Sequence, residues 1–239
     1  MSLNKRVLRI AAVMVLGIVF TASAIDYGLP VYEDNFDANV RVEGIYNSFD
    51  RDIKVGSVKK NLDANVYMAR LDIPGDIAAT YLDAGYFDDS LADGSTPAIV
   101  GAGIRISSYK SDIMRVSLLF NGHYVPSYDT KENGFKGSRD FYELGAGLLF
   151  SANLATDDSQ WQFLPYAGLV YSIIQGSYDV TISPPAADGT SKLDHDIKEE
   201  DGAVGILGAG IIYSERYSLR VEADLFSDSS LSAAFGVAF

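Results

Sequence analysis

From residue 36 to the end of the chain, apolar and polar side chains take turns at alternate positions, run after run. No stretch beyond the first two dozen residues repeats at the three-to-four-residue spacing of a helix. A spacing of two is that of a β-strand, whose side chains point to opposite faces in turn. In the first run Phe36, Ala38, Val40, Val42, Gly44 and Tyr46 oppose Arg41, Glu43 and Asn47; in the second Leu62, Ala64, Val66 and Met68 oppose Asp63, Asn65 and Tyr67. In the third, Leu82, Ala84 and Tyr86 oppose Tyr81 and Asp83. Seven further runs, near 100–107, 114–124, 142–150, 161–173, 207–213, 217–225 and 231–239, behave alike. The chain is therefore expected to be all-β, with about ten antiparallel strands in up-and-down order, eight being the alternative count.

The connections differ between the two ends of the strands. Pro74-Gly75, Tyr109 to Ser111 and Ser214 to Arg216 are short and belong to one rim. The intervening segments near 48–60, 88–97, 125–138 and 175–201 are longer and are expected as loops on the opposite rim, with the alternation at 177–183 suggesting a projecting hairpin.

Alternation alone does not say which face meets solvent. The polar face is mostly Gly, Ala, Ser and Asn with sparse charges of both signs, the composition of a packed interior with paired ions. The apolar face carries no charge, and in water it would far exceed the few hundred Å² that a soluble monomer tolerates. Hydrocarbon outside resolves this, and it requires a closed barrel, because no strand edge can face lipid. The run lengths suit transmembrane strands of about 9 to 11 tilted residues, and aromatics such as Tyr46, Tyr86, Trp161, Tyr171, Tyr213 and Tyr217 gather near run ends, as in interfacial girdles.

The first 24 residues read as an address. Lys5, Arg6 and Arg9 precede the apolar run Ile10 to Thr21 and the small residues Ala22-Ser23-Ala24, the pattern of a secretory signal peptide cleaved before Ile25. Residues 25–35 are then expected as a short periplasmic segment and 36–239 as the barrel domain.

The leader, the alternating strands, short turns on one rim and a last strand ending in an aromatic residue together resemble small bacterial outer-membrane β-barrels of the outer-membrane protein A and W types. The resemblance covers 36–239. It implies that Phe235, Val237 and Phe239 are read by the barrel-assembly machinery, that lipid and lipopolysaccharide surround the wall, and that both termini face the periplasm.

Composition narrows the chemistry. The formal charge is −13, from 32 acids and 19 bases, and the absence of a clustered basic surface disfavours nucleic acid. There is no cysteine and there are only two histidines, so thiolate zinc sites and cysteine nucleophiles are excluded. Neither cofactor nor metal is expected. Arg41, Arg105, Arg115 and Arg220 can pair across the lumen with Glu43, Asp83, Glu143, Glu222 and Asp224, because an unpaired charge in a poorly hydrated space is costly. Three Gly-Ala-Gly repeats, at 101–103, 145–147 and 208–210, leave room for long side chains to cross. The expectation is a barrel without enzymatic activity, its lumen occluded and its work structural or done through surface loops. A narrow channel for small solutes is the alternative. A hydrolase of the lipid A deacylase or omptin type comes third, with His123 read as a wall residue and Asp194-His195-Asp196 placed in the longest loop.

Overall fold

The computed structural model describes residues 26–28, 39–94, 96–111, 113–132, 135–155, 160–181, 192–199, 202–225 and 230–239, with Phe49 and Glu132 described by their backbone alone. The leader and the expected start of the first strand at Phe36 lie outside them. Eleven strands are present: β1 (Arg41–Val55), β2 (Val58–Ile73), β3 (Ala78–Asp89), β4 (Ala98–Lys110), β5 (Met114–Glu132), β6 (Phe135–Ala152), β7 (Trp161–Thr181), β8 (Lys192–Glu199), β9 (Ala203–Tyr213), β10 (Tyr217–Leu225) and β11 (Ser230–Ala238). Each pairs antiparallel with its neighbours, and β11 returns to β1 from Arg41↔Ala238 to Phe49↔Ser230, closing a ten-stranded barrel to which β8 is added.

β8 and β9 follow one another along the same edge of β7. β9 pairs with Trp161 to Tyr171, and β8 with Gln175 to Thr181. Beyond the ends of β10 and β11, β8 crosses to β1 through Val55↔Ile197, Lys54↔Lys198 and Ile53↔Glu199. On the other side, segment 90–94 bridges β2 to β5: Ser90 N donates to the Asp63 carbonyl, Asp93 N to that of Asp129, and Lys131 N to that of Leu91. The wall thus narrows into a collar on the rim where long loops were expected. The connections expected near 48–60 and 125–138 are, among the described residues, largely strand instead. β1 and β2 run on to a two-residue turn at Gly56-Ser57, where Gly56 takes φ +61° as such a hairpin requires. Similarly, β5 and β6 extend to Glu132 and Phe135. The charges of Asp50, Asp52 and Lys54 resemble a loop in sequence, but they stand on the outer face of β1 and alternate with the buried Arg51, Ile53 and Val55.

The outward face is apolar through the middle of the wall. Leu118, Leu148 and Leu169 lie side by side in register and are 38%, 43% and 64% exposed. Aromatic rows bound this belt. Trp161, Tyr213 and Tyr217 stand in register on the turn rim, with Trp161 and Tyr213 ring centroids 4.5 Å apart. Tyr46, Tyr67 and Tyr86 do so towards the collar. From Trp161 to Tyr171 the strand advances about 33 Å, or about 25 Å of height at the usual tilt of roughly 40°, which matches the apolar band of a membrane barrel. Phe235 on β11 and Phe239, the residue after it, are exposed.

One strand faces the other way from the sequence expectation. Leu62, Ala64, Val66 and Met68 point inward, while Tyr67, Leu71 and Ile73 are outside. With Ile53, Val55, Phe87, Ile99, Val125, Phe141, Ile174 and Ile197 they pack into an apolar core inside the collar end of the barrel. The interior is therefore not only small residues and ions.

Replacing Leu148 by Arg, in the middle of the leucine row, should destabilise the barrel by about 2–4 kcal/mol when it is folded into lipid vesicles and titrated with urea. An unchanged midpoint would place that row away from hydrocarbon.

Candidate functional site

The largest chemistry-bearing constellation lies in the lumen. Six of the ten largest fully buried side chains described are arginines: Arg41, Arg51, Arg70, Arg105, Arg139 and Arg220. Their placement follows from the strand parity that puts leucines and tyrosines outside, since every second residue must then face the axis.

Below the apolar core the charges form a chain of alternating sign. Arg105 Nη2 donates to Asp72 Oδ1 at 2.8 Å, and Asp72 also accepts from Arg41. Arg41 Nη1 lies 3.3 Å from Glu43, and Arg220 Nη2 donates to Glu43 at 3.0 Å. Arg220 Nη1 then reaches Asp26 Oδ2 at 2.6 Å, and Arg70 Nη1 reaches Asp26 Oδ1 at 3.3 Å. Arg70 grips Asp83 through two hydrogen bonds of 2.7 Å each, and Asp83 meets His123 Nε2 at 3.0 Å. Asp72, Arg41, Glu43, Arg220, Asp26 and Arg70 are each removed from water and lie between two partners of opposite sign, the arrangement that offsets the desolvation of buried charge. Tyr81 adds to it, its ring lying 3.9 Å from the Arg70 guanidinium and 5.1 Å from that of Arg105.

Two smaller clusters sit closer to the collar. Arg51 contacts Glu143 at 3.4 Å and also pairs with Glu199 of β8, while Ser172 donates to Glu143 at 2.8 Å. Asp89 accepts from Tyr128 at 2.5 Å and from Arg139 at 2.9 Å. Glu222 accepts from the Tyr166 hydroxyl at 2.7 Å. Both oxygens of the buried Asp224 lack a hydrogen-bond donor among the described residues. Arg115 is buried near the start of β5.

The nine charged positions expected in the lumen are thus all buried. Arg41, Glu43, Asp83, Arg105 and Arg220 join one network, and Glu143 is held by Arg51. The sequence reading missed Asp26, Arg51, Arg70, Asp72, Asp89, Arg139 and Glu199. Arg70 and Asp72 were legible in principle, because they continue the parity of Leu62 to Met68 and mark that face as inward. Asp26 carried no such signal. Residues 26–28, expected in a periplasmic lead-in, are buried within the barrel.

Inward glycines make the crossings possible. A Cβ at Gly103 would fall on the Tyr81 ring, and one at Gly208 on that of Tyr166. His195, expected in a loop, stands on β8 opposite Tyr178, with Asp194 and Asp196 exposed on either side of it. At the turn rim Lys110 Nζ donates to Asp76 at 2.6 Å, and that bond and charge hold the Asp76 carboxyl below the usual carboxylate range.

No protein-family model and no curated protein matches the chain. Among solved structures it is similar to the translocator domain of autotransporter NalP from Neisseria meningitidis, with a TM-score of 0.47 and 13% identity, covering 99% of this chain and 95% of that one. It is also similar to the transport unit of the autotransporter AIDA-I from Escherichia coli, with a TM-score of 0.28 and 10% identity, covering 84% and 89%.

Substituting Arg41 by Met leaves Asp72 and Glu43 each with one arginine fewer in a buried site, and should cost about 3–5 kcal/mol in urea unfolding of the detergent-folded barrel. A loss under about 1 kcal/mol, the range of exposed pairs, would mean that water reaches this network.

Proposed function

We propose that the chain is an integral outer-membrane β-barrel with a sealed lumen, both termini on the periplasmic side, and a structural or surface-interacting role carried by the hairpins beyond the apolar belt. The observation that carries the reading is the sequence of layers along the axis: a dry apolar core within the collar, then a lumen crossed by alternating ion pairs. A conducting pore needs a continuous hydrated path, and apolar packing followed by ion pairs that cross the lumen supports the absence of one. Ten strands lie near the eight at which side chains fill a barrel, far from the sixteen of wide porins.

The hairpins supply what surface the molecule offers to a partner. Between their tips lies a cleft of about 300 Å³ lined by Val55, Val58, Phe135, Tyr178 and Val180 together with Lys60 and His195. Val58 and Phe135 are exposed although they stand beyond the belt, where water is the surrounding medium. That favours contact with another molecule over a purely scaffolding role.

The non-enzymatic reading is supported by the surroundings of the two histidines. His123 is committed to Asp83, which Arg70 already holds by both oxygens. His195 alternates with Asp194 and Asp196 along a strand, so its neighbours in sequence point away from it. Phe235, Val237 and Phe239 lie on the final strand where the assembly machinery would read them.

Purified barrel in a planar lipid bilayer bathed in concentrated potassium chloride should insert without discrete conductance steps. Reproducible steps of uniform size would overturn the sealed-lumen reading in favour of a narrow solute channel.

A further inference from the structure

Asp26, Tyr27 and Gly28 belong to no strand, yet they are buried within the barrel. Five hydrogen bonds hold them. Arg70 and Arg220 donate to the two carboxylate oxygens of Asp26 at 3.3 and 2.6 Å. The backbone is held as firmly: Arg70 Nη2 donates to the Asp26 carbonyl at 2.9 Å, Arg105 Nη1 to the Tyr27 carbonyl at 3.2 Å, and Tyr27 N donates to Glu222 at 3.0 Å. The Tyr27 ring packs with Leu119, Leu149, Tyr166 and Val204. Gly28 takes φ +82°, and a Cβ there would fall on the guanidinium groups of Arg70 and Arg105. Carboxylate, aromatic ring, main chain and glycine are each matched by a feature of the wall.

The wall does not need this segment for its own pairing. Arg70 keeps Asp83, Arg105 keeps Asp72, Arg220 keeps Glu43 and Glu222 keeps Tyr166 if residues 26–28 leave. Such a site can be vacated without stranding a charge, the property of a receptor for a ligand more than of a folding core.

We infer that the lumen is a binding site for a peptide segment of acidic and aromatic character, filled in cis by residues 26–28. The inference rests on the sealed-lumen reading and deepens it, by making this segment of the chain part of the seal.

The chain has no native cysteine, so a Tyr27→Cys variant carries a single thiol. In the mature, detergent-folded barrel, verified by heat-modifiable migration, that thiol should react with a charged maleimide about a hundredfold more slowly than in urea, as expected of a site that reacts only through local opening. Equal rates would overturn the inference. Adding Gly28→Val should restore most of the reactivity while the barrel stays folded, because a Cβ there falls on the Arg70 guanidinium. Protection that survives Gly28→Val would overturn the fit of this segment to the wall. A vacated barrel lacking 25–28 should bind the labelled pentapeptide of residues 25–29 saturably, and an added Arg220→Gln should weaken this at least tenfold; a folded barrel that shows no saturable binding contradicts the site. Bilayer recording of the same proteins separates the two readings. Conductance in the wild type defeats the seal, whereas an exposed thiol in a silent wild-type barrel defeats only the peptide site.

Discussion

In the membrane setting we propose, a wall immersed in hydrocarbon leaves each charged side chain in the spanning region one place to go, the axis, where side chains leave little room for water. The rest of the molecule answers that constraint. Arginines and carboxylates alternate along one connected chain because an ion between two opposite neighbours loses least on leaving water. Tyr81 and the inward glycines have the same origin, since long side chains can cross only where neighbouring strands yield volume. Removing Cβ atoms at Gly103 and Gly208 is what admits Tyr81 and Tyr166.

The collar solves a second problem. Strands that extend beyond the apolar belt must still bury an inner face, and there they bury mostly apolar side chains. β8 makes this possible by leaving the line of β9 and joining β1, so that closure is kept where β10 and β11 have ended. Two kinds of interior, one mainly apolar and one charged, thus occupy one tube in succession.

Much of this was legible in the sequence. The period of two, the short turns and the uncharged face specified a closed antiparallel barrel and nine of its buried charges, but not Arg51, Arg70, Asp72, Asp89 or Arg139. The misreadings of the wall share one cause. In β2 the run Leu62 to Met68 is apolar on the inside, because those residues serve the collar, and hydrophobicity there no longer marks the lipid face; only the continuation to Arg70 and Asp72 fixes the parity. The same change of medium made the hairpins near 48–60 and 125–138 look like loops, since strands in water carry charge outward. Asp26 was beyond reach for a different reason. Its role comes from a chain segment entering the lumen, which no local pattern encodes.

Trp161 is the sole tryptophan in the chain and stands outward in the aromatic row of the turn rim. Its fluorescence in vesicles of brominated lipids therefore tests the membrane assignment without any label or substitution. Quenching should be strong, and greatest for bromines placed close to the headgroups, with weaker quenching from bromines at the acyl-chain ends. Emission characteristic of bulk water and indifferent to bromine at every depth would contradict the account, because the belt would then face something other than lipid.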